Sequence, residues 1–322
     1  SFAKKIIPII MKRIVLGLCA LLLLSLCWVG CSDNKQTDAA DSTKRSDQNT
    51  ILTGVMPVIV DEAVLPIMQE QVEVFKSSYI NTDIELIPLP EREAINALLA
   101  GKANIAVLAR SLSEQESVGF SQRGIKPRAF PIFHDGVVFF SQASAVDTAL
   151  DRSDVTALLK GESTDRTLVF DNINSSTFRL VKEYAGVDRV SGQSVKGMDN
   201  SKEVFEEVLS TSGSIGIVSY GQYLQFRKLF GDENKIRILS LQTQNEGVSA
   251  GYFKPSQTTF ATDQYAVESS FQVLNYQPDL GPGIGFSAFL TGDRGQRIAL
   301  KYGLLPATMP GREIIIREDN IN

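Results

Sequence analysis

From residue 51 onward, apolar runs of strand length alternate with segments that have the spacing of amphipathic helices. The apolar runs predict strands at 52–60, 83–89, 104–108, 128–133, 136–141, 167–170, 214–219, 236–241, 270–276 and 313–317. The helical spacing predicts helices at 64–77, 91–99, 114–122, 154–160, 177–185, 202–209, 221–229 and 295–302. Because strands separated by helices indicate parallel sheets with crossover connections, this pattern predicts an α/β fold.

The order of the strands suggests two lobes. The predicted strands on either side of His134, Asp135 and Gly136 follow each other without a helix, so we expect the chain to pass there from one sheet to another. A second passage near 269–276 would return it. Lobe one is then formed by residues 51–134 plus 270–322, and lobe two by residues 135–269. Such a protein has a cleft between its lobes, where a small ligand binds and the hinge closes.

The N-terminal segment has the pattern of an export signal. Met11 is followed by Lys12, Arg13 and an apolar run over 14–26, which predicts a leader over residues 1–30 with Met11 as its start. The uncharged stretch 14–32 is also long enough to span a bilayer, so an uncleaved anchor is the alternative. Gly30 and Cys31 resemble the site at which bacterial lipoproteins are cleaved and acylated, which predicts a lipidated Cys31. Residues 31–50 are polar and predict a flexible tether.

The cysteine positions and the net charge exclude further classes of protein. Cys19, Cys27 and Cys31 are the only cysteines, so a chain cleaved before Cys31 has no internal disulfide. Removal of residues 1–30 leaves 28 basic against 37 acidic residues, a net charge of −9. This acidic balance argues against a nucleic-acid partner.

Four small polar residues stand where one predicted helix begins: Asn174, Ser175, Ser176 and Thr177. Their side chains are typical helix caps, because they accept hydrogen bonds from the first unpaired backbone N–H groups. The same N–H groups, the positive end of the helix dipole and the hydroxyls also form a site for an oxyanion. From these residues alone, both interpretations remain open.

Five longer stretches resemble one family and occur in its order. They are LLAGKANIAVLARSLSEQE (98–116), FPIFHDGVVFF (130–140), DNINSSTFR (171–179), GSIGIVSY (213–220) and GFSAFLTGDRGQRIALKYGLLPA (285–307). They look like the periplasmic phosphate-binding protein of bacterial phosphate ABC importers, in the branch of Bacteroidetes-type lipoproteins. The resemblance covers nearly all of residues 51–317.

This resemblance implies a two-lobed periplasmic-binding-protein fold. Each lobe is a mainly parallel sheet flanked by helices, and two crossover strands form the hinge. The family holds one phosphate with helix N-termini, hydroxyls, an arginine and a proton-accepting acid. The resemblance places the anion-binding loop of lobe two at Ser175, Ser176 and Thr177. It places the first-lobe loop, through its backbone N–H groups, at Ala63, Val64 and Leu65.

The chain departs from the family at three ligand-binding positions. The arginine before the hydroxyl loop falls on Asp171, the proton-accepting acid on Ala109 and the first-lobe serine on Glu91. A doubly charged anion would be repelled by Asp171 and Glu91 unless cations offset them. Arg110 and Arg179 are the candidates, with Arg92 as a third, because arginine binds phosphate oxygens bidentately. The alternatives are exposed surface arginines and an Asp171 that caps its own loop.

Little in the sequence favours an enzyme. No Cys/His cluster with the spacing of a metal site occurs, and no phosphate-binding glycine loop follows a predicted strand. The single histidine, His134, is interpreted as a structural residue of a hinge strand, and the run Gly281-Pro282-Gly283-Ile284-Gly285 predicts a turn. Catalysis by two carboxylates stays open among the 37 acidic residues, but an enzyme on this fold has the weakest support of the three functions. We therefore expect no enzymatic activity, no metal site and no cofactor.

The sequence thus predicts a solute-binding lipoprotein of an ABC importer that captures phosphate or a similar small oxyanion in the interlobe cleft. Its expected partners are the anion, an ABC permease and, through Cys31, a membrane. We expect a monomer on the periplasmic side of a bacterial cell envelope. The alternative is a cell-surface scaffold or adhesion lipoprotein that keeps the fold but binds no ligand.

Overall fold

A computed structural model describes residues 53–243, 250–278 and 281–311. All of them belong to one compact unit, Gln48–Asn322. The predicted leader with Cys31, the tether and the strand at 313–317 lie outside the described residues. No helix of the described part is long and apolar enough to cross a membrane.

The described strands agree closely with the predicted ones. They are β1 Gly54–Asp61, β2 Thr82–Leu89, β3 Ile105–Leu108, β4 Arg128–Gln142, β5 Ala149–Leu150, β6 Thr167–Phe170, β7 Val195–Gly197, β8 Ser214–Ser219, β9 Ile236–Ile238, β10 Ser240–Gln242, β11 Tyr252–Phe253, β12 Glu268–Asn275 and β13 Leu305–Pro306. The shortest of these, β5, β7, β11 and β13, were not predicted, because two or three residues give no readable alternation.

The helices also follow the predicted spacing. They are α1 Leu65–Ser78, α2 Glu91–Leu99, α3 Glu114–Gln122, α4 Arg152–Lys160, α5 Ser176–Ala185, α6 Ser201–Ser210, α7 Tyr220–Phe230, α8 Gln257–Ala261, α9 Pro282–Thr291 and α10 Asp293–Tyr302. The predicted turn at Gly281, Pro282 and Gly283 is wrong. Pro282 occupies the first turn of α9, where its missing N–H has no intrahelical partner to lose and its fixed φ suits the helix.

One mixed sheet runs through the described residues in the order β2-β1-β3-β12-β4-β8-β6-β7, with β9 and β13 also paired to β4. The pairs β1·β2, β1·β3, β6·β7 and β6·β8 are parallel. The strand β4 pairs antiparallel with β12 over one half of its length and with β8 over the other half. The sheet therefore has two parallel halves that meet at β4 and β12, which confirms the predicted two-lobed α/β fold.

Strand β4 is continuous where the sequence predicted two strands. Its residues from Arg128 to Gly136 face β12, and those from Val137 to Phe140 face β8, so one strand belongs to both halves of the sheet. Gly136 permits this passage, because a Cβ there would lie 2.6 Å from the Phe260 ring. The lobe boundaries at 134/135 and 269/270 remain a prediction. Below, lobe one is the half with β1–β3 and lobe two the half with β6–β8.

Each lobe has apolar clusters on both faces of its sheet. In lobe one, Phe75 of α1 packs edge-on against Phe286 and Phe289 of α9. In lobe two, Phe205 lies stacked between Phe140 and Phe226. These cores fix the strands and leave the carboxyl ends of β1, β6 and β8 facing the boundary between the lobes, where ligands of open α/β sheets bind.

Candidate functional site

The second-lobe loop follows the carboxyl end of β6. Ser175 is the N-cap of α5, and its Oγ accepts a hydrogen bond from the backbone N–H of Phe178 at 3.2 Å. The Ser175 Oγ also lies 2.6 Å from the Thr177 Oγ1 and donates to the Asn172 carbonyl at 2.6 Å. The capping interpretation is therefore confirmed. Ser175, Ser176 and Thr177 are all buried at the lobe boundary.

Asp171 occupies the centre of this loop. Its Oδ1 accepts hydrogen bonds from the Thr177 hydroxyl at 2.7 Å and from the Asn172 N–H at 2.9 Å. Burial raises the pKa of Asp171, while the donors on Thr177, Ser175 and Asn172 oppose this increase. An internal carboxyl group thus uses a hydroxyl of the predicted anion loop. The Asx turn that the alternative interpretation expected at Asp171 is formed instead by Asn172, whose Oδ1 accepts from the Asn174 N–H at 2.9 Å.

The first-lobe loop follows the carboxyl end of β1. Asp61 ends that strand, and its Oδ1 accepts a hydrogen bond from the Ala63 N–H at 3.0 Å. Ala63 and Val64 are buried in a short 3-10 turn, and Leu65 begins α1 with its N–H bonded to the Glu62 carbonyl. Two of the three predicted first-lobe amides therefore already have partners within the loop.

Asp61 and Ser176 bring the two loops together. Asp61 is fully buried, and its Oδ2 makes no hydrogen bond with any described residue. The Ser176 Oγ, from the other lobe, is equally buried and also lacks a partner in the described part of the chain. Burial, reinforced by the charge of Glu91, raises the pKa of Asp61 to about 8, although the Ala63 N–H and the nearby Ser176 hydroxyl oppose this. Burial therefore favours the neutral form of the Asp61 carboxyl.

Charged side chains from both lobes meet beside these loops. Glu91, the first residue of α2, accepts two hydrogen bonds from Arg179 of α5, at 2.6 Å from Nε and 2.8 Å from Nη2. Arg110 is bidentate to Glu116 at 2.9 Å for both bonds, which lowers the pKa of Glu116 to about 2, and its Nε lies 3.6 Å from Glu91. Both predicted anion-binding arginines are thus paired with acids, and Arg92 is exposed.

A groove of about 660 Å³ opens where α2 and α5 face each other. It is lined from lobe one by Glu91, Arg92, Ile95, Asn96, Arg110 and Glu116, and from lobe two by Ile173, Asn174, Ser175, Phe178, Arg179, Lys182, Glu183, Gly186, Val187 and Asp188. Of the predicted second-lobe residues, Ser175 and Arg179 thus line the groove, whereas Ser176 and Thr177 do not.

The hinge holds further buried acids that the sequence analysis missed. Asp135 in β4 accepts hydrogen bonds from the N–H groups of Gly136 at 2.8 Å and Gly221 at 3.2 Å. Burial raises the pKa of Asp135 to about 7. His134 Nδ1 lies 4.0 Å from Glu268 of β12, so His134 occupies the structural position in a hinge strand that the sequence suggested.

Asp61 was also missed, although one signal pointed to it. It is the first polar residue after a buried apolar strand, at the edge where parallel sheets place their sites. Within the described residues, no group of three or more His, Cys, Asp or Glu side chains is arranged to hold a metal ion. The chemistry that these residues offer is hydrogen bonding and charge.

Comparisons with known proteins agree with this geometry. The chain is similar to a structure from Clostridium perfringens described as a phosphate ABC transporter substrate-binding protein with bound phosphate, at 18% identity and a TM-score of 0.64, over 79% of this chain and 100% of that one. It is also similar to an ABC-type phosphate transport receptor from Vibrio cholerae, at 18% identity and a TM-score of 0.60, over 79% and 100%. At these identities the likeness shows the fold alone. The sequence of the chain matches no curated protein.

The family is shown by a separate match. A family model described as a PBP superfamily domain matches residues 45–294, which is well over half of the chain. The matched family is one of binding proteins, so the prediction that the chain is not an enzyme is confirmed. The chain belongs to the PBP superfamily.

Proposed function

We propose that this protein is the solute-binding component of an ABC importer and that it captures phosphate or a similar small oxyanion between its lobes. The proposal extends to this chain what the printed descriptions say of its structural neighbours. It rests on one observation: Asp61 Oδ2 and Ser176 Oγ are buried, come from opposite lobes and make no hydrogen bond of ordinary geometry with any described residue, although the Ser176 hydroxyl is near enough to Asp61 to lower its pKa.

The chemistry of Asp61 and Ser176 favours a ligand that accepts hydrogen bonds. When the Asp61 carboxyl is neutral, its Oδ1 accepts from Ala63 and its Oδ2 carries a proton to donate. The Ser176 hydroxyl is a second donor at the positive end of the α5 dipole, where the Phe178 N–H is already bonded to the Ser175 Oγ. Several buried donors around one point are satisfied by an oxyanion, since a buried donor without an acceptor costs about 1–3 kcal/mol.

Calorimetric titration tests this proposal. The protein, freed of bound ions by unfolding and refolding in phosphate-free buffer, is titrated with phosphate, sulfate, molybdate and amino acids. We expect heat with phosphate or another oxyanion, and at least a tenfold weaker affinity for Ser176→Ala, because one donor is lost. Ser144→Ala, in a loop of lobe two outside this site, is the matched control and should bind normally. Heat only with a cationic or neutral solute would contradict the oxyanion proposal.

A second function has its own support. Asp171 already uses the Thr177 hydroxyl, and Glu91 already bridges to Arg179 across the lobes. These internal carboxyl groups favour a scaffold or adhesion lipoprotein that keeps the fold without a ligand. A titration without heat for every solute would support it, whereas permease and ATPase genes next to this gene would favour transport.

The envelope location is part of the proposal. We propose that the chain is exported, cleaved before Cys31, lipidated there and held as a monomer at the bacterial cell envelope, where the permease is its partner. Mass spectrometry of the N-terminal peptide from the membrane fraction tests this. We expect acyl chains on Cys31 and their loss in Cys31→Ser. An unmodified peptide that still begins at Met11 would contradict it.

A further inference from the structure

The first turn of α2 contacts the start of α5 directly across the lobe boundary. Glu91 and Arg179 form a bidentate ion pair, which we call the interlobe ion pair, and the Glu91 side chain is 5% exposed. Next to it, the Arg92 N–H donates to the Asn174 carbonyl at 3.2 Å. The Asn174 side-chain amide donates to Glu93 at 3.3 Å. The two lobes are therefore bonded to each other by their own groups.

The surroundings of the interlobe ion pair hold both partners in place. Glu183, one turn further along α5, accepts two hydrogen bonds of 3.0 Å from Arg179 Nη1 and so orients the guanidinium. On the other side, Arg110 lies 3.6 Å from Glu91 within lobe one. Bidentate hydrogen bonds from an arginine guanidinium to a carboxylate are among the strongest ionic contacts in proteins. Separating the lobes would break these charge-assisted hydrogen bonds, and water would hydrate both charges in their place.

A second contact closes the boundary on the side of the hinge. The Ser219 Oγ, which caps α7 in lobe two, donates to the Ala63 carbonyl in lobe one at 2.6 Å. The Gln222 side-chain amide donates to the Glu62 carbonyl at 3.3 Å. These bonds join the first-lobe loop to lobe two. Contacts at two places keep the lobes from rotating about either one.

We propose that Glu91 is an internal bridging anion which, with Arg179, holds the two lobes closed independently of any bound solute. A carboxylate of the protein then makes the interlobe contact that a bound anion would otherwise make. A solute enters only when the interlobe ion pair opens, so the closed state is populated before binding. This inference goes beyond the proposed function and holds whether or not an oxyanion binds.

Distances between spin labels measure the closure. Cys19, Cys27 and Cys31 are replaced by serine. Spin labels are attached at Ile80→Cys in lobe one and Val146→Cys in lobe two, because the natural side chains there are 85% and 94% exposed. In phosphate-free buffer we expect a single narrow distance for the otherwise unchanged protein. Glu91→Gln and Arg179→Gln should each add a second, displaced distance, with at least a tenfold fall in the ratio of closed to open molecules, or about 1.4 kcal/mol.

Glu183→Gln is the matched control, since it removes a partner of the same arginine on the same helix but leaves the contact between the lobes. It should keep the closed distance dominant. Circular dichroism of each variant checks that the fold is retained. A broad distribution of label-to-label distances in the otherwise unchanged protein would overturn the inference. The same would follow if neither Glu91→Gln nor Arg179→Gln changed this distribution.

Discussion

The clearest quantitative consequence concerns Asp61 at the end of β1. Its pKa is raised from 3.8 to about 8, chiefly by burial, so the folded protein keeps a proton that the unfolded chain releases. The free energy of unfolding therefore falls as the pH rises from about 4 to about 8. Replacement of Asp61 by Asn removes this titration and keeps an oxygen that can accept the Ala63 N–H.

The size of the effect follows from the two pKa values. Each pH unit between them changes the free energy of unfolding by about 1.4 kcal/mol. Between pH 4 and pH 7, Asp61 therefore destabilises the fold by about 4 kcal/mol relative to a neutral residue. We expect Asp61→Asn to have little effect on stability at pH 4 and to stabilise the protein by about this amount at pH 7.

Guanidinium unfolding at pH 4, 5, 6, 7 and 8 measures the difference between Asp61→Asn and the unchanged protein. Because Asp135 and Glu268 titrate in both, their contributions cancel in this difference. Asp293→Asn, at an exposed position of α10, is the control and should leave the pH dependence unaltered. A difference for Asp61→Asn that stays constant over these pH values would refute the reasoning.

Three further substitutions test other parts of the account. Asp171→Asn removes a buried acid bonded to Thr177, so calorimetry should show phosphate affinity rising at least tenfold; an unchanged affinity would mean that the anion does not approach this loop. Gly216→Ala places a Cβ 2.3 Å from the Phe140 ring and should lower the free energy of unfolding in guanidinium by about 1–3 kcal/mol. Gln296→Ala removes two buried hydrogen bonds and one partly buried one and should lower the free energy of unfolding by about 3 kcal/mol, whereas a loss below about 0.5 kcal/mol would show that water replaces them.

Local signals explain how much of the fold was predictable. Ser113 and Glu116 form the capping box that their spacing suggested, and Gly186 and Gly303 end their helices in the left-handed conformation. These features depend on neighbours within four residues, which a sequence displays directly. The start of α5 was predicted for the same reason.

The partners within the site could not be predicted in the same way. Glu91 and Arg179 are 88 positions apart, and nothing in either local pattern indicates that they meet. Each is a residue type common on exposed helix surfaces, yet the two form an ion pair between the lobes. Asp61 likewise resembles an ordinary acid at a strand end until tertiary structure buries it. Long-range pairing and burial decide the chemistry of the site, and both arise only from the assembled fold.

The central claim, that an oxyanion is held between the two loops, is tested most directly by a crystal structure of the protein grown with excess phosphate. The account predicts a phosphate within hydrogen-bond distance of both Asp61 and Ser176 at the start of α5. Well-ordered loops with Asp61 and Ser176 in contact with each other and no phosphate between them would contradict it.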